Sequence, residues 1–190
     1  KGESLKDSIL TLQALKADCI VMRHSVSGTP ELAAQLLKHT AIVNAGDGRH
    51  EHPTQGLLDM LTIRQNKGQL EGLEVAIVGD ITHSRVARSN IWGLTKMGAN
   101  VRLVGPRTLL PPDADRLPVK VYDNLAKGID GADVVNVLRL QTERMERGLL
   151  PGASLTRRGR HDTHMTIHPP GCPNDEQVKK KWRAIDHGEA

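Results

Sequence analysis

The first third of the chain alternates between helix-like and strand-like patterns of hydrophobic residues. Leu5, Ile9 and Leu12 recur at helical spacing behind Ser4, a residue type that caps helix N-termini through its side-chain oxygen. The next predicted elements are a buried strand CIVMRH (19–24), a helix opening at Thr29 and Pro30, a strand TAIVNAG (40–46) and a helix TQGLLDMLTIRQNKG (54–68). This α, β, α, β, α order favours a parallel sheet with crossover helices.

The same pattern restarts after the polar stretch NKGQLEGL (66–73). Ala87, Ile91 and Leu94 lie on one face of a predicted helix that ends before Gly98. The other elements predicted here are strands at 74–80, 100–106 and 133–140, a short segment VKVYDN (119–124) and a short helix at 125–129. We therefore expect an α/β protein with two parallel-sheet units, residues 1–63 and 64–150.

Residues 151–190 differ from the preceding residues in their sequence pattern. They show no convincing apolar period and contain clusters of Arg, His, Pro and Lys. We expect this tail to be loosely ordered, or to depend on another molecule for order. One hypothesis is a shifted reading frame or a spliced junction after Pro151. The alternative is a metal- or nucleic-acid-binding extension, suggested by the residues His161, His164, His168, Cys172, Arg157, Arg158 and KKK (179–181).

Composition narrows the class of function. The 190 residues are 38% hydrophobic and 25% charged, as in globular proteins, and contain no apolar run near the roughly 20 residues of a membrane helix. A net charge of +4 suits small anionic substrates, whereas 2% aromatic residues and no Phe argue against stacking of single-stranded nucleic acid. Cys19 and Cys172 cannot build a disulfide framework, and the apolar run around Cys19 predicts a buried reduced thiol and a cytoplasmic protein.

Polar side chains follow each long predicted strand. The segments are Arg23 with His24, GDGRHEHPTQ (46–55), GDITHSR (79–85) and RLQTER (139–144). In open α/β sheets ligands bind beyond the carboxyl ends of the strands, and Arg, His and Gln hold phosphates, carboxylates and carbonyl oxygens. The array predicts a site for a pair of small anions.

Other interpretations of these segments remain open. A single arginine at a strand end is commonly a solvated surface residue, and His52 before Pro53 could simply be a helix-entry residue. HEH (50–52) invites a metal site, although no Cys or carboxylate triad stands nearby in the sequence. The glycines of VGDITHSR (78–85) do not form G-x-G-x-x-G, so a dinucleotide site is weakly supported.

Three longer segments carry a family resemblance. AGDGRHEHPTQGLLDMLTI (45–63), VAIVGDITHSRVARSNIWGLTKMGANVRLVGPRTLLP (75–111) and LRLQTERM (138–145) resemble the catalytic chain of the aspartate carbamoyltransferase family, and the likeness runs from Lys1 to about Pro151. It implies the C-terminal part of a carbamoyl-phosphate-binding domain in residues 1–63 and the N-terminal part of an aspartate-binding domain in 64–150. The family's S-T-R-T phosphate segment has no counterpart here, so we expect a chain that begins partway into a longer protein.

The resemblance also implies roles for individual residues. Arg23 and His52 would be catalytic and polarise the carbonyl oxygen of carbamoyl phosphate, and Gln55 would hold its amide. Lys1 would belong to a mobile loop that binds carbamoyl phosphate in a neighbouring subunit. Aspartate would be bound by Arg85, Arg139 and Gln141.

The reaction implied is transfer of the carbamoyl group from carbamoyl phosphate to L-aspartate in pyrimidine biosynthesis, without cofactor or metal. The resemblance further implies a homotrimer with shared sites, and a regulatory or dihydroorotase partner is a further expectation. Neither nucleic acid nor membrane is expected as a partner. A non-catalytic relative that serves as a binding or scaffold subunit is the alternative. Such a subunit would not need the ligand-type residues Arg23, His52, Gln55, Arg85, Arg139 and Gln141.

Overall fold

A computed structural model of the chain describes residues 2–138 and 164–167. Its helices are α1 (Leu5–Ala14), α2 (Thr29–Leu36), α3 (Pro53–Lys67), α4 (Arg85–Lys96) and α5 (Leu125–Ile129). Its strands are β1 (Cys19–His24), β2 (Ala41–Asp47), β3 (Glu74–Val78), β4 (Asn100–Val104), β5 (Lys120–Tyr122), β6 (Val134–Val137) and β7 (His164–Ile167), with short 3₁₀ turns at Arg107–Leu109 and Ala114–Arg116.

Local sequence explains where the helices begin and end. The hydroxyls of Ser4 and Ser84 accept hydrogen bonds from backbone N–H groups in the first turns of α1 and α4. Pro53 occupies the first position of α3, where its missing N–H is not needed. Gly68 ends α3 with φ of +83°, in the left-handed region that glycine adopts without strain. The helices predicted from the sequence are therefore confirmed.

A two-stranded parallel sheet of β1 and β2 forms the first unit. Ile9 of α1, Ala33 of α2 and Leu37 form a small buried cluster against one face of this sheet. Residues alternate between half-buried and exposed along β1, and Cys19 is exposed. The expectation of a buried Cys19 thiol is therefore wrong, because its side chain lies on the face opposite α1 and α2.

The second sheet has the order β5-β4-β3-β6-β7. Strands β3 to β6 pair in parallel, as expected, and β3 at the centre is buried on both faces. Val75 and Ile77 face a core shared with α4, whereas Ala76 and Val78 face a smaller core under α5. The alternation follows from the two-residue period of a strand.

Strand β7 departs from the expected pattern. It pairs antiparallel with β6, so the second sheet is mixed at this edge, and residues 164–167 of the tail are ordered as a strand. Met165 and Ile167, two residues apart, are partly buried against the core of the second sheet. The sequence HMTI is too short for its alternation to stand out among the surrounding basic residues. The metal-ligand candidates His161, His168 and Cys172 lie outside the described residues.

Helix α3 connects the two sheets. It packs against β2 of the first sheet and against α4 of the second unit. Ile63, in its last two turns, is 1% exposed and belongs to the core of the second sheet. The boundary proposed between residues 63 and 64 falls inside this helix. Among the described residues no helix is long and apolar enough to cross a membrane.

Candidate active site at the start of helix α3

The loop between β2 and α3 is fixed by hydrogen bonds to the segment that follows β1. Asp47, almost fully buried, accepts a hydrogen bond from the backbone N–H of Gly28 at 2.8 Å and interacts with Nδ1 of His50 at 3.1 Å. Gly48 donates its N–H to the carbonyl of His24. These bonds hold the carboxyl ends of β1 and β2 together and set the direction in which the chain enters α3.

His52 occupies the N-cap position of α3. Its backbone N–H donates to Oγ of Ser89 on α4 at 2.9 Å, and its Nδ1 lies 3.2 Å from Oγ1 of Thr54. Ser89 can approach because residue 56 is glycine, where a Cβ would lie 3.1 Å from the Ser89 Cβ. The His52 backbone is thereby anchored to α4, in the second unit.

Arg85 reaches from the start of α4 into the loop of the first unit. Its side chain is buried, and Nη1 donates to the carbonyl of Gly48 at 3.2 Å. Upstream, Asp80 and His83 are joined by a 2.8 Å hydrogen bond between Oδ1 and Nδ1, and Asp80 also accepts from the backbone N–H of His83. This buried turn holds Ser84, the N-cap of α4, and with it the first residue of the helix.

The pKa of His52 lies below its ordinary value of 6.5. Burial of the imidazole is the largest cause, and the positive charges of Arg85 and Arg23 lower the pKa further, against a smaller opposite effect of Asp59. The structure therefore brings Arg23 and Arg85 within electrostatic reach of His52. The neutral imidazole of His52 can donate a hydrogen bond without adding a third positive charge to those of Arg23 and Arg85.

Gln55 lies in the first turn of α3. Its Nε2 donates to Oδ1 of Asp59 at 2.8 Å, and Oδ2 of Asp59 accepts from Nδ2 of Asn90 on α4 at 2.7 Å. Asp59, Ser89 and Asn90 were not predicted from the sequence. The available signals were the i, i+4 spacing of Gln55 and Asp59 and the glycines at 56 and 93, which allow two helices to approach closely.

The HEH segment is divided between two environments. The ligand-type atoms of Asp47, His50 and Glu51 lie within 4.8 Å of one another and could hold a metal ion. Both of these carboxylates also accept hydrogen bonds, that of Asp47 from the backbone N–H of Gly28 and that of Glu51 from Nδ2 of Asn44 in β2 at 3.0 Å. His52 is not part of this group, because it lies at the helix start with Ser89. Lys1, Arg139 and Gln141 lie outside the described residues.

Comparison with known proteins shows what this chain is similar to. Residues 1–65 match the family model for the carbamoyl-P binding domain of aspartate/ornithine carbamoyltransferases. The chain is 62% identical over 151 residues to the aspartate carbamoyltransferase catalytic subunit of Desulforamulus reducens, an alignment of 80% of this chain and 48% of the relative. The matched part of the chain belongs to the aspartate carbamoyltransferase family.

Further relatives agree with this assignment to the carbamoyltransferases. The catalytic subunit from Moorella thermoacetica is 58% identical over 151 residues, which is 80% of this chain and 49% of that protein. Aspartate transcarbamoylase from Trypanosoma cruzi, solved with N-(phosphonacetyl)-L-aspartic acid, superposes with a TM-score of 0.67 at 33% identity and covers 76% of this chain and 50% of its own. The chain thus spans about half the length of the curated relatives it matches. The α/β fold with parallel sheets expected from the sequence is confirmed.

Proposed function

We propose that this chain provides the catalytic residues of an aspartate carbamoyltransferase. The reaction transfers the carbamoyl group of carbamoyl phosphate to the amine of L-aspartate and releases N-carbamoyl-L-aspartate and phosphate. The observation that carries the proposal is the position of His52 at the start of α3, where burial and the positive charges of Arg85 and Arg23 lower its pKa. A structure of the Trypanosoma cruzi enzyme in complex with carbamoyl phosphate and aspartate supports the choice of substrates.

In this proposal His52 and Arg23 bind the carbonyl oxygen of carbamoyl phosphate. The imidazole stays neutral and donates an N–H, while the guanidinium of Arg23 donates from the end of β1. Negative charge develops on that oxygen when the carbonyl carbon is attacked, so donors fixed in advance lower the barrier. Removing one donor of this kind costs about 3 to 4 kcal/mol of transition-state stabilisation.

Arg85, Arg139 and Gln141 would bind the two carboxylates of aspartate. The buried guanidinium of Arg85 reaches the loop that precedes His52, which supports this role. A buried guanidinium matches a carboxylate in shape and charge and holds it in one orientation. The amine of aspartate is then presented to the carbamoyl carbon.

The chemical step needs positioning more than covalent participation by the protein. The aspartate nitrogen forms a bond to the carbamoyl carbon, and the bond from that carbon to the bridging oxygen of phosphate breaks. The electron pair leaves with phosphate, which also takes a proton from the amine. Holding the two substrates in contact supplies a large share of the rate enhancement.

The remaining proposals rest on the family. A homotrimer in which Lys1 reaches the site of a neighbouring subunit fits the resemblance. The resemblance also supports a cytoplasmic location, a place in de novo pyrimidine biosynthesis, and a regulatory or dihydroorotase partner. Sedimentation equilibrium of the full chain tests the assembly. A trimer is expected with the bisubstrate analogue present, and a monomer under that condition would contradict shared sites.

Calorimetric titration of the full chain with N-(phosphonacetyl)-L-aspartate tests the substrate assignment. We expect a dissociation constant in the micromolar range or below. Arg85→Met should weaken binding by about ten- to a hundredfold, since a charge-assisted hydrogen bond is lost, whereas the exposed Arg64→Met in the last turn of α3 should not. Absence of heat at high protein concentration would contradict the proposal and favour a binding or scaffold subunit.

A further inference from the structure

Asp59 is a buried carboxylate whose two oxygens each accept a hydrogen bond from a side-chain amide. Oδ1 accepts from Nε2 of Gln55 at 2.8 Å, and Oδ2 accepts from Nδ2 of Asn90 at 2.7 Å. Gln55 and Asp59 are one turn apart on α3, and Asn90 comes from α4. The arrangement is a short chain of hydrogen bonds that ends at a residue of the candidate site.

The chemistry of Asp59 determines which end of the Gln55 amide faces it. An ionised carboxylate only accepts hydrogen bonds, so the NH₂ group of Gln55 must point to Asp59 and the carbonyl Oε1 must point away. A glutamine amide without such a partner can turn over, because its oxygen and nitrogen are nearly the same size. Asp59 therefore fixes the orientation of the Gln55 amide, with the NH₂ group toward Asp59 and the carbonyl oxygen away from it.

Asn90 keeps the carboxylate of Asp59 in place. The Asn90 side chain is fully buried, and its Nδ2 donates to Asp59 while its Oδ1 has no hydrogen-bond partner within the described part of the chain. A donor on Oδ2 fixes the rotation of the carboxylate, so Oδ1 stays directed at Gln55. The second unit thus contributes to the orientation of a side chain in the first.

We propose that Asp59, held by Asn90, is a positioning residue that turns Oε1 of Gln55 toward the ligand and selects a ligand carrying an N–H donor. The ligand part rests on the proposed function, in which Gln55 meets the amide of carbamoyl phosphate. A carbonyl oxygen accepts from that amide. A ligand of the same shape with a methyl group in place of NH₂ leaves Oε1 unpaired and therefore binds more weakly.

The orientation itself is tested on the full chain without ligand, by nuclear magnetic resonance of the side-chain amides. Because both amides donate to one carboxylate, a nuclear Overhauser effect is expected between the Gln55 Hε and Asn90 Hδ protons. Ile63→Val, a core change on the same helix, should retain it. Absence of the effect in the folded wild-type chain would overturn the proposal, whatever the chain binds.

Selectivity is tested by calorimetry with phosphonoacetamide and with acetonylphosphonate, which has a methyl group in place of NH₂. The wild-type chain should prefer the amide by about tenfold, the value of one neutral hydrogen bond. Asp59→Leu should bring the ratio close to one, and Ile63→Val should leave it unchanged. A structural role alone would weaken both ligands equally, so an unchanged ratio in a folded Asp59→Leu chain would overturn the proposal.

The two experiments separate this proposal from the proposed function. If the wild-type chain binds neither phosphonate while the amide protons of Gln55 and Asn90 remain in contact, the substrate assignment fails and the orienting role of Asp59 stands. If phosphonoacetamide binds but the contact is missing, the orienting role fails and the substrate assignment stands.

Discussion

The guanidinium of Arg85 lies against the backbone of Gly46, in the space that a side chain would occupy. A Cβ at position 46 would lie 2.9 Å from Cζ and 3.0 Å from each terminal nitrogen of Arg85. Gly46 also has φ of +129°, a conformation that L-residues with a side chain rarely adopt. The last residues of β2 therefore leave room for an arginine that begins α4.

Gly46→Ala should displace Arg85 as well as strain the backbone. We expect binding of N-(phosphonacetyl)-L-aspartate to weaken by about tenfold or more, because the guanidinium leaves its position. Gly72→Ala is the matched control, since Gly72 has φ of +77° and no atom of the described residues lies within 4 Å of the position a methyl group would take. The control should lose about 1 to 2 kcal/mol of stability, with analogue binding retained. Equal binding losses in the two variants would contradict the steric explanation.

The pKa of His52 should depend on the positive charges of Arg85 and Arg23. In the wild-type chain its pKa should lie below 6.5, and Arg85→Met should raise it without restoring 6.5, because burial is the larger cause. Imidazole proton shifts followed against pH measure both values. Arg64→Met is the control, because residue 64 lies about 18 Å further along the helix axis. An unchanged pKa in Arg85→Met would contradict the proximity of the two groups.

The same pKa shift should make the folded state less stable in acid. Because folded His52 binds a proton less readily than unfolded His52, the unfolded state takes up the proton first as pH falls below about 6.5. The stability that neutral His52 contributes is fully present above that pH. It declines as the pH falls, until the pH lies below the pKa of His52 in the folded state. Urea unfolding between about pH 7 and pH 5 should show a steeper loss for the wild-type chain than for His52→Asn, and equal slopes would contradict this.

Ser89 should matter through the hydrogen bond it accepts from the backbone of His52. Ser89→Ala removes that acceptor, and we expect a loss of about 1 kcal/mol in the free energy of unfolding. Thr62→Ala is the control, because its hydroxyl donates to the carbonyl of Leu58 on the same helix. Urea unfolding distinguishes them, and a larger loss in Thr62→Ala would count against the anchoring role of Ser89.

Asn136 and Asn90 should respond in opposite directions to apolar replacement. Each is buried with an Oδ1 that lacks a partner among the described residues, but Nδ2 of Asn90 donates to Asp59. Asn136→Val in strand β6 should raise stability by about 1 kcal/mol, because a desolvated amide is removed from a strand. Asn90→Leu should lower it by about 2 kcal/mol, since Asp59 loses a donor. Thermal unfolding compares the two, and stabilisation by Asn90→Leu would be evidence against the hydrogen-bond chain.

Local sequence was sufficient to predict the helices and the parallel strands, because capping residues and glycines act within a few residues of the backbone they fix. Ser4, Ser84 and Gly68 are examples. Cys19 was predicted wrongly, because an apolar run does not reveal whether a sheet is covered on one face or on two. That property depends on elements elsewhere in the chain.

The candidate site was predictable only in part, for a similar reason. Arg23, His52 and Arg85 stand at strand ends, where the topology of an α/β sheet brings polar side chains together. Asp59 and Asn90 are ordinary polar residues inside helices, and their pairing depends on how α3 crosses α4. Strand β7 was not predicted, because more than twenty residues separate it from its partner β6 and most of those residues show no strand-like pattern of apolar residues.

Helix α3 also limits how this chain can be recombined with its relatives. The family model for the first domain ends at residue 65, but the helix continues to Lys67 and buries Ile63 in the second sheet. In a chimera joined at residue 65, Ile63 would come from one parent and the core of the second sheet that surrounds it from the other. The mismatch would lie at the end of α3 opposite His52. A junction beyond Gly68 would transfer the whole helix, but its contacts with Ser89 and Asn90 would still have to match across parents.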